Sequence, residues 1–300
     1  MTSLPEHPCY LNGQWLPLAR ASVSVLDRGF IFGDGIYEAV PVYGGRLFRF
    51  DEHMARLERS LHHTRIANPH TREQWLALMR QLVASTREAT GAADQFLYLQ
   101  VTRGVALRDH VMPRDIAPTV FMMSNPMAPV PEKVRHHGVA AVTARDFRWE
   151  RGDIKTTSLL AAVLARQMSA DQGAAETILL REHGNGTLYL TEGSASNVWV
   201  VHEGALIGPP ASPHLLEGVR IELMRELCEE EGIAFNRRPV TEGELRAADE
   251  IALSSAGREI QAVTALDGEA VGHGAGRGKP GPVTARLIEA YQRAKVEMGV

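Results

Sequence analysis

The segment DIKTTSLL, residues 153–160, contains one of only four lysines in a chain with 32 lysine and arginine residues. The other three, Lys133, Lys279 and Lys295, lie in polar or terminal stretches where an ammonium group is solvated. Lys155 instead separates a polar stretch from the apolar run LLAAVLA, residues 159–165, so its ammonium can be partly desolvated. Such a lysine is a candidate nucleophile and base, although the position also fits a helix-start lysine with a solvated head group.

The bulk composition is that of an ordinary globular protein. The 300 residues are 44% hydrophobic and 23% charged, and the mean hydropathy is -0.15. At this length we expect two domains. The net charge of -4 provides no basic field for nucleic acid, and no apolar run reaches the roughly eighteen residues that span a bilayer. We therefore expect no nucleic-acid partner and no membrane span.

The cysteine pattern and the first residues indicate the compartment. Cys9 and Cys228 lie far apart, and the opening MTSLPEHPCY lacks the basic and apolar regions of a signal peptide. Scattered histidine pairs are typical of solvated surfaces rather than of metal ligands. We expect reduced thiols, no disulfide and no metal site, in a cytoplasmic protein.

The first 124 residues predict a mixed α+β domain. Residues 37–50 alternate strand-forming side chains around a Gly-Gly pair, which predicts a hairpin. Asp51 is expected to cap an amphipathic helix that runs to about Ile66. Further predicted elements of this half are a helix after Thr71 and strands at 95–102 and 119–123.

Residues 125–138, NPMAPVPEKVRHHG, are rich in proline and charge and are predicted to form a linker. The second domain then covers residues 139–300 and is again α+β. Its predicted strands lie at 139–144, 176–181, 187–191 and 197–201 and near Ile251 and Val263, with a turn at 183–186 and helices at 156–170, 219–230 and 283–295.

Further segments form a recognisable series with the lysine segment. They are LDRG at 26–29, FGDGIYE at 32–38, EHMARL at 52–57, LTEGSASNV at 190–198 and GKPGP at 278–282. In this order they resemble the motifs of the class IV aminotransferases of fold type IV, over nearly the whole chain, and they are most similar to the D-amino-acid transaminase branch. The resemblance implies an α+β, two-domain fold, with a smaller N-terminal α/β domain and a larger C-terminal domain built on a β-barrel-like sheet.

The resemblance also implies pyridoxal 5'-phosphate as the cofactor, bound to Lys155 as a Schiff base. Glu192 matches the family's glutamate, whose carboxylate pairs with the pyridinium nitrogen of the cofactor. An anion at that nitrogen keeps it protonated, and the protonated ring withdraws electrons from the substrate. Without the flanking match, a glutamate in a solvated turn at the end of a strand would be the favoured interpretation of Glu192.

The family's phosphate-binding positions are matched in part. Arg56 corresponds to the phosphate arginine, although its helix also fits a solvated charged face. Gly218 and Val219 match the start of a backbone cradle at a helix N-terminus. The sequence departs from the family where threonine is common, because Arg220 stands in this first cradle, so backbone donors and the charge of Arg220 are expected to contribute more. The second cradle matches at Ala256-Gly257, with Ala256 in place of the other threonine.

Substrate choice depends on a loop and a tyrosine. Arg108 and His110, within VALRDHVMP at 105–113, resemble the carboxylate-binding pair of D-amino-acid transaminases, which reaches in from the partner subunit and joins a tyrosine at the Tyr37 position. The resemblance therefore implies a homodimer that transfers the amino group between a D-amino acid, such as D-alanine or D-glutamate, and a 2-oxo acid. Without the surrounding motif, polar residues on a loop surface would be the favoured interpretation of both.

Three alternatives stay open at this stage. Aminodeoxychorismate lyase shares the fold, the lysine and the cofactor, but Arg108 and His110 argue against it. Aminotransferases for branched-chain L-amino acids or R-amines differ in pocket shape, which the sequence does not define. A non-catalytic protein with the same fold is disfavoured because Lys155, Glu192 and Arg56 are all retained.

Overall fold

The computed structural model describes residues 5–184 and 186–300, and these form two compact units. Unit 1 comprises the chain up to Ala128 together with Ile154–Leu159 and Lys295–Val300. Unit 2 comprises Pro129–Asp153 and Leu160–Ala294. The predicted turn at 183–186 includes Asn185, which lies outside the described residues.

Unit 1 is built on an antiparallel sheet with the strand order β2-β1-β6-β5-β3-β4. Its elements are β1 (Pro8–Leu11), β2 (Gln14–Pro17), a 3-10 turn (Leu18–Arg20), α1 (Arg28–Phe32), β3 (Gly35–Tyr43), β4 (Arg46–Leu47), α2 (Phe50–Thr64), α3 (Arg72–Thr90), β5 (Gln95–Thr102) and β6 (Thr119–Pro126). The predicted hairpin, the strand at 95–102 and the helix after Thr71 are confirmed, and Thr71 caps α3 through a capping box with Gln74.

Strand alternation gives this sheet one core face and one half-buried face. On β5, Leu97, Leu99 and Val101 are fully buried and belong to a hydrophobic cluster with side chains of α2 and α3. Between them, Tyr98 and Gln100 point to the other face and are half-buried. The half-buried face is where polar and aromatic groups remain accessible.

Unit 2 is built on a mixed sheet with the order β12-β11-β10-β13-β14-β7-β8-β9, and β15 pairs with β14. The elements that follow β6 in the chain are α4 (Glu132–His137), β7 (Val139–Arg145), α5 (Leu160–Asp171), β8 (Glu176–Glu182), β9 (Leu188–Gly193), β10 (Asn197–His202), β11 (Ala205–Gly208), α6 (Val219–Glu230), β12 (Phe235–Arg237), α7 (Glu242–Arg246), β13 (Glu250–Ser255), β14 (Glu259–Leu266), β15 (Glu269–Ala270), a 3-10 turn (Gly274–Gly276) and α8 (Pro282–Glu297). The predicted helix at 219–230 is confirmed at both ends.

The core of unit 2 lies along the central strands of this sheet. Ile178, Leu180, Val198, Val200 and Ile251 are buried in one hydrophobic cluster. The parallel strands β7 and β8 are joined by a crossover that contains α5, as parallel neighbours require. The chain segment with Lys155 lies within the same crossover connection.

Two predicted helix starts differ from the structure. The helix predicted from Thr156 begins at Leu160, because Thr156 and Thr157 bond to β3 instead. The helix predicted to be capped by Asp51 begins at Phe50 after Arg49, which adopts a left-handed conformation with φ 53°. Asp51 lies in the first turn of α2 and pairs with Arg72.

The domain limits also differ from the predicted 1–124 and 139–300. The first division falls between Ala128 and Pro129, inside the segment predicted as a linker, which contains α4. The lysine segment, Ile154–Leu159, and the last residues, Lys295–Val300, group with unit 1 because their contacts lie there. Sequence order alone does not reveal such returns of the chain.

Among the described helices, none combines the length and the apolar character that crossing a membrane requires.

Candidate active site

Lys155 lies on an extended segment that pairs with β3. Its carbonyl accepts the N–H of Tyr37 at 3.0 Å, and the N–H of Thr157 donates to the carbonyl of Gly35 at 2.9 Å. These bonds place Nζ of Lys155 4.0 Å from the centre of the Tyr37 ring. The predicted amine and the predicted substrate tyrosine are therefore neighbours in unit 1.

The glycines of the FGDG sequence make this pairing possible. Gly33 has φ 65°, and a Cβ there would lie 2.5 Å from Oγ of Ser158. A Cβ at Gly35 would lie 2.9 Å from the carbonyl oxygen of Val101 and 3.2 Å from Oγ1 of Thr157. The opening motif thus leaves room for the lysine segment to approach the strand.

A second tyrosine supports the first. The rings of Tyr37 and Tyr98 stack with centroids 5.7 Å apart, and Tyr98 donates to Oε1 of Gln100 at 2.7 Å. Burial, aided by the neighbouring Tyr37, raises the pKa of Tyr98 to about 12, so its hydroxyl stays neutral. Tyr98 and Gln100 were not identified from the sequence; the alternation of β5 with its core residues was the signal that could have revealed them.

Arg56 is buried, and its guanidinium is held by Glu38. Nε donates to Oε1 of Glu38 at 2.8 Å, and Nη2 donates to Oε2 at 2.7 Å. Nδ1 of His53 donates to the same Oε2 at 2.7 Å. Although burial opposes ionisation, the charge and hydrogen bonds of Arg56, with a smaller effect of His53, hold the pKa of Glu38 well below its usual range. The alternative of a solvated charged face is therefore wrong for Arg56.

Arg108 and His110 lie on an exposed loop of unit 1. The guanidinium carbon of Arg108 is 5.4 Å from the centre of the Phe32 ring, and the His110 ring is 5.4 Å from the same centre. Arg28 fixes the loop between them by donating to the carbonyl of Asp109 at 2.5 Å. The two side chains are thus presented together at one surface point, beside α1.

Glu192 is a buried carboxyl at the end of β9 in unit 2. It pairs with Nη1 of Arg148, and Oε2 accepts the N–H of Leu216 at 3.1 Å. Burial raises the pKa of Glu192, and the charge of Arg148 and the Leu216 N–H only partly offset this effect. Its position rules out the solvated turn that the isolated residue would also fit.

A carboxylate behind Arg148 fixes its direction. Nε and Nη2 of Arg148 donate to the two oxygens of Asp146, each at 2.9 Å. Asp146 also accepts the hydroxyl of Thr191 at 2.9 Å and lies 3.5 Å from Arg181. Asp146 and Arg148 were not identified from the sequence, because DFRWERGD, residues 146–153, has no periodicity that places its charges.

The predicted phosphate cradles in unit 2 are a helix start and a strand turn. Gly218 is the N-cap of α6, and a Cβ there would lie 2.7 Å from Oδ1 of Asn197. Val219 and Arg220 form the first turn of α6 and are buried, and the Arg220 guanidinium carbon is 5.4 Å from the centre of the Tyr291 ring. Ala256-Gly257 forms the turn between β13 and β14.

The donor set fits pyridoxal 5'-phosphate. That cofactor requires an amine for its aldehyde, an anion for its ring nitrogen, and cations and backbone N–H groups for its phosphate. Lys155, Glu192, Arg56 and the glycine-capped start of α6 are groups of these kinds. Gly218 leaves the helix start in close contact with Asn197, an approach that a side chain would prevent.

Comparison with known proteins identifies the family. The sequence profile of the family described as amino-transferase class IV matches residues 35–266. The D-alanine aminotransferase of Bacillus licheniformis is 36% identical, over 94% of this chain and 95% of that protein. The D-alanine aminotransferase of Staphylococcus haemolyticus is 35% identical, over 95% of this chain and 96% of that protein.

Solved structures agree on the fold. A branched-chain amino acid aminotransferase of Escherichia coli superposes with a TM-score of 0.85 at 23% identity, covering 96% of this chain and 94% of that one. A second branched-chain amino acid aminotransferase, solved with pyridoxamine 5'-phosphate, superposes with a TM-score of 0.87 at 23% identity, covering 98% of this chain and 96% of that one.

The chain belongs to the class IV aminotransferases and has their fold-type IV architecture, which confirms the predicted α+β fold with a barrel-like sheet. It is an aminotransferase that depends on pyridoxal 5'-phosphate.

Proposed function

We propose that this enzyme transfers the amino group of a D-amino acid, such as D-alanine or D-glutamate, to a 2-oxo acid, with Lys155 as the catalytic residue. The placement of Nζ of Lys155 at 4.0 Å from the Tyr37 ring carries the proposal. The D-alanine aminotransferases that align over more than nine-tenths of the chain support the choice of substrate.

Lys155 moves the proton in this mechanism. Bound pyridoxal 5'-phosphate supplies the carbonyl group that condenses with an amino group and the ring that withdraws electron density. Nζ of Lys155 removes the α-proton of the substrate and donates a proton again later in the same half-reaction. The Tyr37 ring limits the positions that Nζ can take, since it covers one side of the ammonium group.

Glu192 acts as the anion that keeps the ring nitrogen protonated. Arg148 favours the ionised form of Glu192, and the Leu216 N–H donates to one of its oxygens. Burial raises the pKa of Glu192, which favours acceptance of a proton from a donor beside it.

Positive charge and backbone donors hold the phosphate. Arg56 supplies one guanidinium, and the start of α6, with Gly218, Val219 and Arg220, supplies N–H groups and the positive end of a helix dipole. The turn at Ala256-Gly257 adds backbone donors without a hydroxyl.

Arg108 and His110 bind the substrate carboxylate together with Tyr37, and they do so in the partner subunit of a homodimer. Their exposure beside α1 supports this assignment. This loop and the neighbouring α1 carry apolar side chains that are unusually accessible for a free surface, Leu107 at 81% on the loop and Phe30 at 71% on the helix. We also propose a cytoplasmic location, which the free thiols of Cys9 and Cys228 support.

Replacing the lysine tests the mechanism. Lys155→Ala should abolish turnover and leave the protein folded, because the bonds of this segment to β3 use backbone groups that alanine retains. Turnover, circular dichroism and borohydride reduction of the wild-type holoenzyme with peptide mapping are the measurements. Lys133→Ala, an exposed lysine on α4, is the matched control and should keep full turnover. Reduced cofactor on Lys133, Lys279 or Lys295 would contradict the assignment.

Replacing the loop arginine tests the substrate. Loss of a charge-assisted contact costs about 1.5 to 3 kcal/mol, so Arg108→Ala should lower kcat/KM for D-alanine roughly ten- to a hundredfold. Amines without a carboxylate should lose far less, and Arg114→Ala in the same exposed loop should change neither substrate. A wild type that prefers L-leucine, or an Arg108→Ala variant with unchanged D-alanine kinetics, would refute the D-amino-acid specificity but not the aminotransferase activity.

The same variants test the homodimer. Mixing subunits of Lys155→Ala and Arg108→Ala should restore about a quarter of the wild-type activity, since half of the dimers are mixed and each has one intact site. No restoration after confirmed subunit exchange would show that Arg108 acts within its own subunit.

A further inference from the structure

Two arginines of this protein are held in the same way. In unit 2, Asp146 accepts Nε and Nη2 of Arg148, and the third nitrogen, Nη1, reaches the carboxylate of Glu192. In unit 1, Glu38 accepts Nε and Nη2 of Arg56. In each case a buried carboxylate engages one edge of the guanidinium and directs Nη1 away from itself.

We propose that Glu38 is a positioning residue for the phosphate of the cofactor: it fixes the guanidinium of Arg56 so that Nη1 is directed at that phosphate. The inference rests on the proposed function, because it takes Arg56 as the phosphate arginine.

Glu38 is itself buried and held by a second donor. Its side chain is fully buried, and His53 donates to the oxygen that also accepts Nη2 of Arg56. Glu38 follows Tyr37 on β3, so one strand places the ring beside Lys155 on one face and the carboxylate that holds Arg56 on the other. The side chain of Arg56 stays 8% accessible, so its bonds to Glu38 leave part of the guanidinium open to a ligand.

Holding the guanidinium in advance strengthens ligand binding. A mobile arginine loses rotamer freedom when it binds a phosphate, whereas a clamped one has lost it during folding. Glu38 should therefore raise affinity for the phosphate-bearing cofactor without affecting the part of the cofactor that lacks phosphate.

The test compares pyridoxal 5'-phosphate with pyridoxal, which has no phosphate. Cofactor is removed from the purified enzyme, and both compounds are titrated back, with binding followed by absorbance. Glu38→Gln keeps the shape but loses the charge, and it should weaken binding of pyridoxal 5'-phosphate about tenfold while changing pyridoxal less than about twofold. Added inorganic phosphate should compete less effectively with the variant than with the wild type.

A double-mutant cycle shows whether Glu38 acts through Arg56. In an Arg56→Lys background, Glu38→Gln should have little further effect on the ratio of the two affinities. Asp34→Asn is the matched control, because Asp34 is a carboxylate of unit 1 that holds Arg28 and Arg103. This control should lower stability and leave the ratio unchanged. If Glu38→Gln does not fold, Glu38→Asp, which keeps the charge but shortens the reach, should reduce the ratio instead.

The proposal would be overturned if Glu38→Gln bound both compounds as tightly as the wild type, or lost affinity for both by the same factor. These outcomes are distinct from failure of the proposed function, in which the wild type itself would show no preference for pyridoxal 5'-phosphate over pyridoxal and no transamination.

Discussion

Glu38 in unit 1 and Glu192 in unit 2 are both buried beside an arginine, yet their carboxyl groups have opposite properties. Glu38 receives two hydrogen bonds from Arg56 and one from His53, and its pKa is lowered. Glu192 receives one bond from Arg148 and one from a backbone N–H, and its pKa is raised because burial outweighs them.

The difference comes from how each arginine divides its donors. Arg56 turns Nε and Nη2 to Glu38, whereas Arg148 turns the same two nitrogens to Asp146 and gives Glu192 only Nη1. Glu38, which takes the fork and a further bond from His53, has three donors, whereas Glu192, which takes the single nitrogen and one backbone N–H, keeps more capacity for another proton donor. In this protein the first arrangement holds an arginine in place, and the second suits a partner of the cofactor's ring nitrogen.

Removing each charge in turn should therefore affect different properties, and the largest effect is expected on turnover. Glu192→Gln should keep the cofactor bound but lower kcat at least about a hundredfold, or about 2.7 kcal/mol of barrier, since a neutral amide does not favour the pyridinium. Glu38→Gln at saturating cofactor should keep most of its kcat. Steady-state kinetics of both variants measure these effects. A kcat of Glu192→Gln within about twofold of the wild type would contradict the proposed role of Glu192 as the partner of the ring nitrogen.

Stability should show the reverse order. Breaking the buried pair with Glu38→Gln should lower the free energy of unfolding by about 3 to 5 kcal/mol at neutral pH, because Arg56 is left buried with a neutral partner. Because the folded-state pKa of Glu38 is lowered, its contribution is full above the ordinary glutamate range and is lost as the pH falls toward the lowered value.

The difference in the free energy of unfolding between the wild type and Glu38→Gln should therefore become smaller at acidic pH. Glu192→Gln should lose much less stability at neutral pH, since burial of an ionised Glu192 is itself unfavourable. Denaturant unfolding of both variants and the wild type after removal of the cofactor measures both differences, because a change in cofactor affinity then does not contribute to the free energy of unfolding. Equal losses of unfolding free energy in the two variants would show that the way each arginine divides its hydrogen-bond donors does not determine how much each carboxylate stabilises the fold.

How much of this could be predicted from the sequence depends on the range of the contacts. Lys155 and Glu192 stand in runs of residues that match the family, so they could be predicted from the sequence. The strand β5 could be predicted too, because its alternation of side chains is a local pattern. The start of α5 could not be predicted. The run LLAAVLA has a helical pattern, but Thr156 before it is held by a strand more than a hundred residues earlier in the chain.

The pairing of the charged side chains could not be predicted from the sequence either. Glu38 and Arg56 are 18 residues apart on a strand and a helix, and nothing in the local pattern gives the register of one against the other. Arg148 lies close to Lys155 in sequence, but its contact with Glu192 spans 44 residues. In both cases the residue type was visible and the pairing was not.

The smallest expected effect is a shift of a pH profile, and it examines the single bond that Arg148 gives to Glu192. Arg148 lowers the pKa of Glu192, so Arg148→Gln should raise it further and move the acidic limb of kcat to higher pH. The matched control is Arg181→Gln, because Arg181 lies 3.5 Å from Asp146 and serves the same network without a bond to Glu192. Its acidic limb should move much less. Profiles are measured on variants shown to be folded by circular dichroism across the same pH range. An acidic limb that stays in place in Arg148→Gln, or moves to lower pH, would mean that a group other than Glu192 governs it, and the contrast with Glu38 would then rest on stability alone.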